Sequence, residues 1–315
     1  MKQTKTIMQL SVLTAGCLVL GGLTATPANA ALDVVSRGQV QVASGPLSEA
    51  AAVGAVSGRV ELVGGPVIRQ AVLSPSLVGS KFGDVVFTDS DGAATRCQGS
   101  ASGKIGSCQL LGTGWLDFKL YAPGDWNRDG HNDLISVSET GRMFLYPGNG
   151  KGVFKTKVQI GHGWSKYTVI PVGDLTGDKI PDMLAINNQT GVLLLYAGNG
   201  KGGFKPGYRQ VGHGWKGMQL VSAGDLNKDG KNDILGVSAD GRLLFYAGRG
   251  DGTFKPAVQV GHGWKNIDLA AGADVTGDGI ADIVGHVWGE GLFLYKGKGA
   301  GTFYKPIQIW TDPEA

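Results

Sequence analysis

A nine-residue acidic stretch occurs four times along the chain at nearly constant spacing, and everything else in the sequence has to accommodate it. In the copy beginning at Asp225, side-chain oxygens stand at positions one, three, five and nine: Asp225, Asn227, Asp229 and Asp233. The other copies supply Asp125, Asn127, Asp129 and Asp133; Asp174, Thr176, Asp178 and Asp182; and Asp274, Thr276, Asp278 and Asp282. Alternating oxygens in a tight loop near a glycine, with a backbone carbonyl at position seven (His131, Ile180, Lys231 or Ile280), suit a hard cation that takes about six to eight oxygen ligands. Ca2+ at about four sites is therefore expected, and magnesium fits less well. An EF-hand closes with a carboxylate at position twelve on a following helix. Here that position holds Ser136, Ala185, Gly236 and Gly285, and a β-type run follows each loop. The competing reading is a turn of Asp, Asn and Gly that holds its own backbone without metal. Repulsion among three carboxylates within nine residues weighs for the cation.

The same spacing governs the tryptophans. Trp115, Trp164, Trp215 and Trp264 lie 49, 51 and 49 residues apart, in step with the acidic loops. Within one unit, an apolar run from Leu220 to Ala223 leads into the loop, and Ile234 to Val237 follows as a second strand. Asp240-Gly241 marks a turn, Leu243 to Ala247 a third strand, Gly248 to Thr253 a glycine-rich turn, and Pro256 to Val260 a fourth strand. Four short strands in a repeat of roughly 50 residues predict an all-β chain, a β-propeller of about five four-stranded blades, with six as the alternative. The repeats fall at residues 66–115, 116–164, 165–215, 216–264 and 265–313.

The first repeat is the weakest. Asp84 aligns with Asp233 and Asp91-Gly92 with Asp240-Gly241, but Ser76, Val78 and Ser80 replace the loop oxygens, so no cation is expected there. Cys97 falls where another repeat has Tyr246, and Cys108 falls in the next strand. In a chain bound for an oxidising space these two are expected to form a disulfide that staples the blade lacking a metal.

That destination is read from residues 1–30. Lys2 and Lys5, an apolar run from Ile7 to about Leu23, and Ala28-Asn29-Ala30 have the layout of a secretory signal, so a secreted, extracellular product starting at Ala31 is expected. A lipid anchor at Cys17 is the minor reading. No second apolar stretch is long enough to span a bilayer. Residues 31–65 read as an N-terminal extension, either a degenerate blade or a strap closing the ring, ahead of a propeller over 66–315. The 54 glycines have no collagen period and point to many tight turns. The formal charge of +3 includes Lys2 and Lys5, leaving little to attract nucleic acid or an anionic membrane.

The Gly224 to Ile234 core, with Tyr246-Ala-Gly and Gly252-Thr-Phe254 downstream, resembles the FG-GAP/VCBS repeat of integrin α-subunit propellers and many secreted bacterial proteins. The resemblance covers residues 116 to 313 well and 66 to 115 in part. It implies a calcium-bearing propeller used for adhesion or ligand binding, with the metal inside the blade as a stabiliser. A weaker resemblance is to tachylectin-like five-bladed lectins, whose units carry a Gly-x-Gly-Gly-Trp turn and are associated with N-acetylated sugars. This chain has Gly161-His162-Gly163-Trp164, Gly212-His213-Gly214-Trp215, Gly261-His262-Gly263-Trp264 and the variant Gly112-Thr113-Gly114-Trp115, one glycine short of that pattern.

A sugar offers an apolar C–H face to an indole and hydroxyls to fixed donors and acceptors, so Trp115, His162, Trp164, His213, Trp215, His262 and Trp264 are candidate ligand contacts. With equal weight, the tryptophans are inter-blade core and the histidines merely solvated. No Gly-x-Ser-x-Gly elbow and no His-Glu-x-x-His motif is present, and the conspicuous polar residues recur once per repeat, unlike a single catalytic centre. The irregular stretch His286-Val-Trp288-Gly-Glu290 in the last repeat is the one place for a unique site, and a blade variant near ring closure is its plainer reading. A non-catalytic, multivalent binder of glycans or cell-surface polysaccharide is expected. An integrin-like module for a protein partner is the alternative, and a secreted hydrolase comes third.

Overall fold

The computed structural model describes residues 67–311. The expectations for residues 1–30 and 31–65 lie outside the described residues. Five antiparallel sheets follow one another, each of four strands in chain order. Blade one holds β1 (Ile68–Ser74), β2 (Asp84–Asp89), β3 (Ala94–Gln98) and β4 (Cys108–Gly112). Blade two holds β5 (Phe118–Gly124), β6 (Asp133–Ser138), β7 (Met143–Tyr146) and β8 (Val158–Gly161). Blade three holds β9 (Tyr167–Gly173), β10 (Asp182–Asn187), β11 (Leu193–Tyr196) and β12 (Arg209–Gly212). Blade four holds β13 (Gln219–Gly224), β14 (Asp233–Val237), β15 (Leu243–Tyr246) and β16 (Val258–Gly261). Blade five holds β17 (Ile267–Ala273), β18 (Asp282–Val287), β19 (Gly291–Tyr295) and β20 (Ile307–Thr311). The five-bladed propeller expected from the repeats is what the described residues form, and the six-bladed alternative is not.

Burial follows the order of strands within a blade. Every residue of β2 and of β14 is buried, because each second strand has a blade packed on both of its faces. The fourth strands form the outer rim, where Val158 and Val258 are exposed. The hydrophobic core is divided among five clusters, one at each blade interface; Leu77, Val86 and Leu111 of blade one, for example, meet Leu120, Leu134 and Tyr146 of blade two around Trp115. Blades one and five close the ring without exchanging a strand. Gly83 N–H donates to Asp274 O at 2.7 Å, and the rings of Phe87 and Trp310 are 5.5 Å apart.

The meander sorts the connections onto two opposite ends of the ring. At one end lie the loops joining first to second strands, which carry the acidic stretches, and those joining third to fourth strands. At the other lie the turns joining second to third strands and the Gly-x-Gly-Trp links between blades. Cys97 and Cys108 face each other across β3 and β4 and form a disulfide, as expected.

Candidate functional site

At the first end, each acidic loop is built around its ninth residue. Asp133, Asp182, Asp233 and Asp282 are fully buried at the start of a second strand. Each accepts the N–H groups of positions two and three on one oxygen; for Asp233 these are Leu226 at 3.0 Å and Asn227 at 3.3 Å. The other oxygen accepts from the third-to-fourth-strand loop, Gly248 N–H at 2.9 Å in that blade. Burial pushes the Asp282 carboxyl up to about 6, and Asp274 and Asp278 add like-charge repulsion. Asp133 and Asp233 are likewise pushed up to about 6 by burial.

Positions one, three and five fold back over the same loop. Asp225 accepts from Asp229 N–H at 3.0 Å and Gly230 N–H at 2.9 Å, and Asn227 Oδ1 accepts from Asp229 N–H at 2.8 Å. Arg128 and Lys228, at position four, and Lys179, at position six, hold φ values of 62° to 64°, the left-handed bend that lets the loop close on itself. A lysine from the neighbouring loop reaches position five in three blades: Lys155 to Asp129 at 2.8 Å, Lys205 to Asp178 at 2.6 Å and Lys255 to Asp229 at 3.4 Å.

The donor set is made of oxygens, the type calcium prefers, and Thr276 Oγ1, at position three of the last loop, is buried with no hydrogen-bond partner. Among the described residues, no three His, Cys, Asp or Glu side chains are arranged to hold an ion. Because position nine is fully buried beneath the loop, the residues that would hold calcium are positions one, three and five with the carbonyl of position seven. The ninth aspartate would then shape the loop.

Blade one solves the same problem without such a loop. Asp84 stands at the ninth position, fully buried, and accepts Leu77 N–H at 2.6 Å. Its other oxygen meets the Arg96 guanidinium at 2.9 Å. The residues at the place of Arg96 in the other blades are Leu145, Leu195, Phe245 and Leu294. Arg96 was missed at the level of sequence, and the one signal for it was a lone basic residue at an apolar position of a third strand.

At the second end, the turns between blades explain most of their own motif. The indoles of Trp115, Trp164, Trp215 and Trp264 are at most 8% exposed, each 4.7 to 5.2 Å from the ring of Tyr146, Tyr196, Tyr246 or Tyr295 in the next blade. Enclosed in this way they have no open face for a sugar, which corrects the expectation of a stacking platform at these four residues. The backbone N–H of each donates to the glycine of the preceding second-to-third-strand turn: Gly92, Gly141, Gly191 or Gly241. The first glycine of the motif admits the indole, since a Cβ on Gly261 would sit 2.6 Å from Trp264 Nε1. The second glycine adopts φ of 80° to 84° and has open space beside it in all three His-bearing turns. Only the histidine is left over by packing: His162, His213 and His262 are exposed.

The first strands of all five blades line a central cavity of about 790 Å3. Gln70 and Gln219 line it yet are consumed by bridging to the next blade; Gln70 donates to Leu120 O at 2.8 Å and accepts Leu120 N–H at 3.0 Å. The equivalent positions in the other blades carry Lys119, Thr168 and Asp268. Asp268 Oδ2 accepts the indole N–H of exposed Trp288 at 3.0 Å. The sequence had marked the stretch around Trp288 as irregular but gave no hint of Asp268, which lies 20 residues away.

A family profile described as an FG-GAP-like repeat matches residues 125–185, 174–236 and 225–285, together just over half the chain. No curated protein matches the sequence. Among solved structures, the chain is similar to an Agrocybe aegerita lectin described as recognising non-reducing terminal N-acetylglucosamine, at 18% identity and a TM-score of 0.45, over 78% of this chain and 81% of that one. It is similar to the BP39L lectin of Burkholderia pseudomallei at 14% identity and a TM-score of 0.44, over 76% and 69%. A third similar structure is the Aleuria aurantia lectin, at 15% identity and 0.41, over 76% and 78%.

Proposed function

Because the chain belongs to the family of FG-GAP-like repeats, we propose that it is a secreted, calcium-stabilised β-propeller that binds glycans without catalysis, through several like sites on one end of the ring. The observation that carries this reading is the threefold repetition of an exposed histidine, His162, His213 and His262, on a glycine turn held in place by a buried indole. The imidazole supplies a donor and an acceptor, and the bare glycine beside it lets a hydroxyl or acetamide reach the backbone. Without a stacking ring each site is weak. On a polyvalent surface, sites fixed on one rigid body gain roughly two to four powers of ten in avidity.

Calcium acts at the opposite end. Bound at positions one, three and five, it would supply the positive charge that the clustered carboxylates need, and at millimolar extracellular levels a site of modest affinity is filled and adds stability by mass action. The disulfide fits an oxidising destination. Among the described residues no helix is long and apolar enough to cross a membrane.

A protein partner is the second reading, and the enclosure of the four indoles is what favours it, since a polypeptide can cover such a face without a stacking ring. A glycan array run with and without chelator separates the two. Signal that weakens as His162, His213 and His262 are replaced one after another supports the glycan reading. No glycan signal at all moves the assignment to a protein, and turnover of soluble polysaccharides overturns both.

A further inference from the structure

We infer that Trp288 and Asp268 form a single saccharide subsite at the mouth of the central cavity, distinct from the repeated turns and taking its ligand class from the glycan reading above. The other six tryptophans, Trp115, Trp126, Trp164, Trp215, Trp264 and Trp310, are at most 8% exposed, whereas Trp288 is 54% exposed. It alone forgoes the burial that every other indole gains. Repeat symmetry does not account for it, because the same place in the other blades holds Ser90, Glu139, Asn188 and Ala239.

The exposed ring is nevertheless held in one orientation. Its Nε1–H donates to Asp268 Oδ2 at 3.0 Å, and its centroid lies 4.7 Å from the ring of buried His286 at 47°. A ring fixed before its ligand arrives loses little freedom on binding.

The chemistry beside it suits a neutral pyranose. The C–H face of the sugar packs on the outer face of the indole, and the carboxylate held at the edge of that ring has acceptor sites to spare for vicinal hydroxyls. Asp268 also lines the cavity, whose volume of about 790 Å3 lies in the range of small-ligand sites, and Thr168 and Asn188 of blade three, hydrogen-bonded to each other at 2.9 Å, line the same cavity. An ammonium ligand is the other chemistry that pairs an aromatic face with a carboxylate. It is disfavoured here because one exposed indole makes no cage.

The test is calorimetry and tryptophan fluorescence on the full mature chain in calcium, with chitotriose, cellotriose, maltotriose and choline as probes. The expected result is one site per chain for one of the trisaccharides, with the exposed indole protected from acrylamide quenching. Trp288→Ala should weaken binding at least tenfold and Asp268→Asn several-fold, while Tyr304→Ala, another exposed aromatic, leaves it unchanged. Melting points should not move, because Trp288 lies outside the core clusters. Trisaccharide binding that survives Trp288→Ala overturns the subsite, and choline binding in place of sugar overturns its ligand class. A positive array with no soluble trisaccharide bound overturns the subsite but leaves the glycan reading standing. Silence in both ends the two together.

Discussion

Arg96 Nη1 lies 2.9 Å from Asp84 Oδ1 inside blade one, with the two side chains 8% and 0% exposed. The pair occupies the position where the other four blades pack a leucine or phenylalanine over a fully buried aspartate. Burial pushes the Asp84 carboxyl up, against the pull of Leu77 N–H and the guanidinium. Blade one thus keeps the ninth aspartate of a loop it has otherwise lost, and answers its charge with an arginine from the same sheet.

Arg96→Leu, which copies the other blades, should cost about 3–5 kcal/mol, the usual result of leaving one member of a buried pair alone. Asp84→Asn in the same chain should recover part of that, because the leftover group is then neutral. Chemical denaturation of both variants with the disulfide intact checks the order.

The single variant should also become pH-sensitive. Without Arg96 the folded-state pKa of Asp84 rises further above its unfolded value of about 3.9, so the folded form holds a proton that the unfolded form releases. Its stability is then greatest at low pH and falls as pH rises through the raised pKa. Urea midpoints measured from pH 4.5 to 8 should fall more steeply for Arg96→Leu than for the double variant. Parallel slopes would mean that Asp84 is not the group responsible.

Calcium at millimolar levels should raise the melting point, and a chelator should lower it. Metal analysis should find about four ions per chain, none of them from blade one. Asp278→Ala should remove one ion and leave the remainder. A melting point indifferent to both calcium and chelator, with no metal retained, would leave the loops as turns that hold their own backbone.

The two glycines of the inter-blade turn should respond differently to alanine. At Gly261 the new methyl would sit 2.6 Å from Trp264 Nε1 and force the indole aside, costing about 1–3 kcal/mol through overpacking. At Gly263 no atom lies within 4 Å, so only the backbone strain of φ +84 remains, about 1–2 kcal/mol. The packing defect should be partly relieved by shrinking Trp264 in the same chain, and the strain should not.

Trp215→Ala should cost about 3–5 kcal/mol, as large buried aromatics do, whereas His213→Ala should stay within about 0.5 kcal/mol of the parent. Loss of binding in the tryptophan variant would therefore report a damaged blade interface. Loss in the histidine variant, with an unchanged melting point, would report a contact to ligand.

Much of this molecule is written in local pattern. Spacings of 49, 51 and 49 residues, a β-run after each acidic loop and a glycine turn after the second strand are enough to define the blades, because a four-stranded meander draws on residues close in sequence. The pairing of Cys97 with Cys108 follows from the same register, being a contact between consecutive strands. What tertiary structure alone decided are relations across 12 or more residues or between blades. These include the separation of acidic loops and histidine turns onto opposite ends, the enclosure of the indoles by tyrosines of the next blade, the Arg96 to Asp84 pair, and the Trp288 to Asp268 contact at the cavity mouth. Periodicity reports which residues share a face of a strand. It does not report what the neighbouring blade places against that face, and burial is settled only when the ring closes.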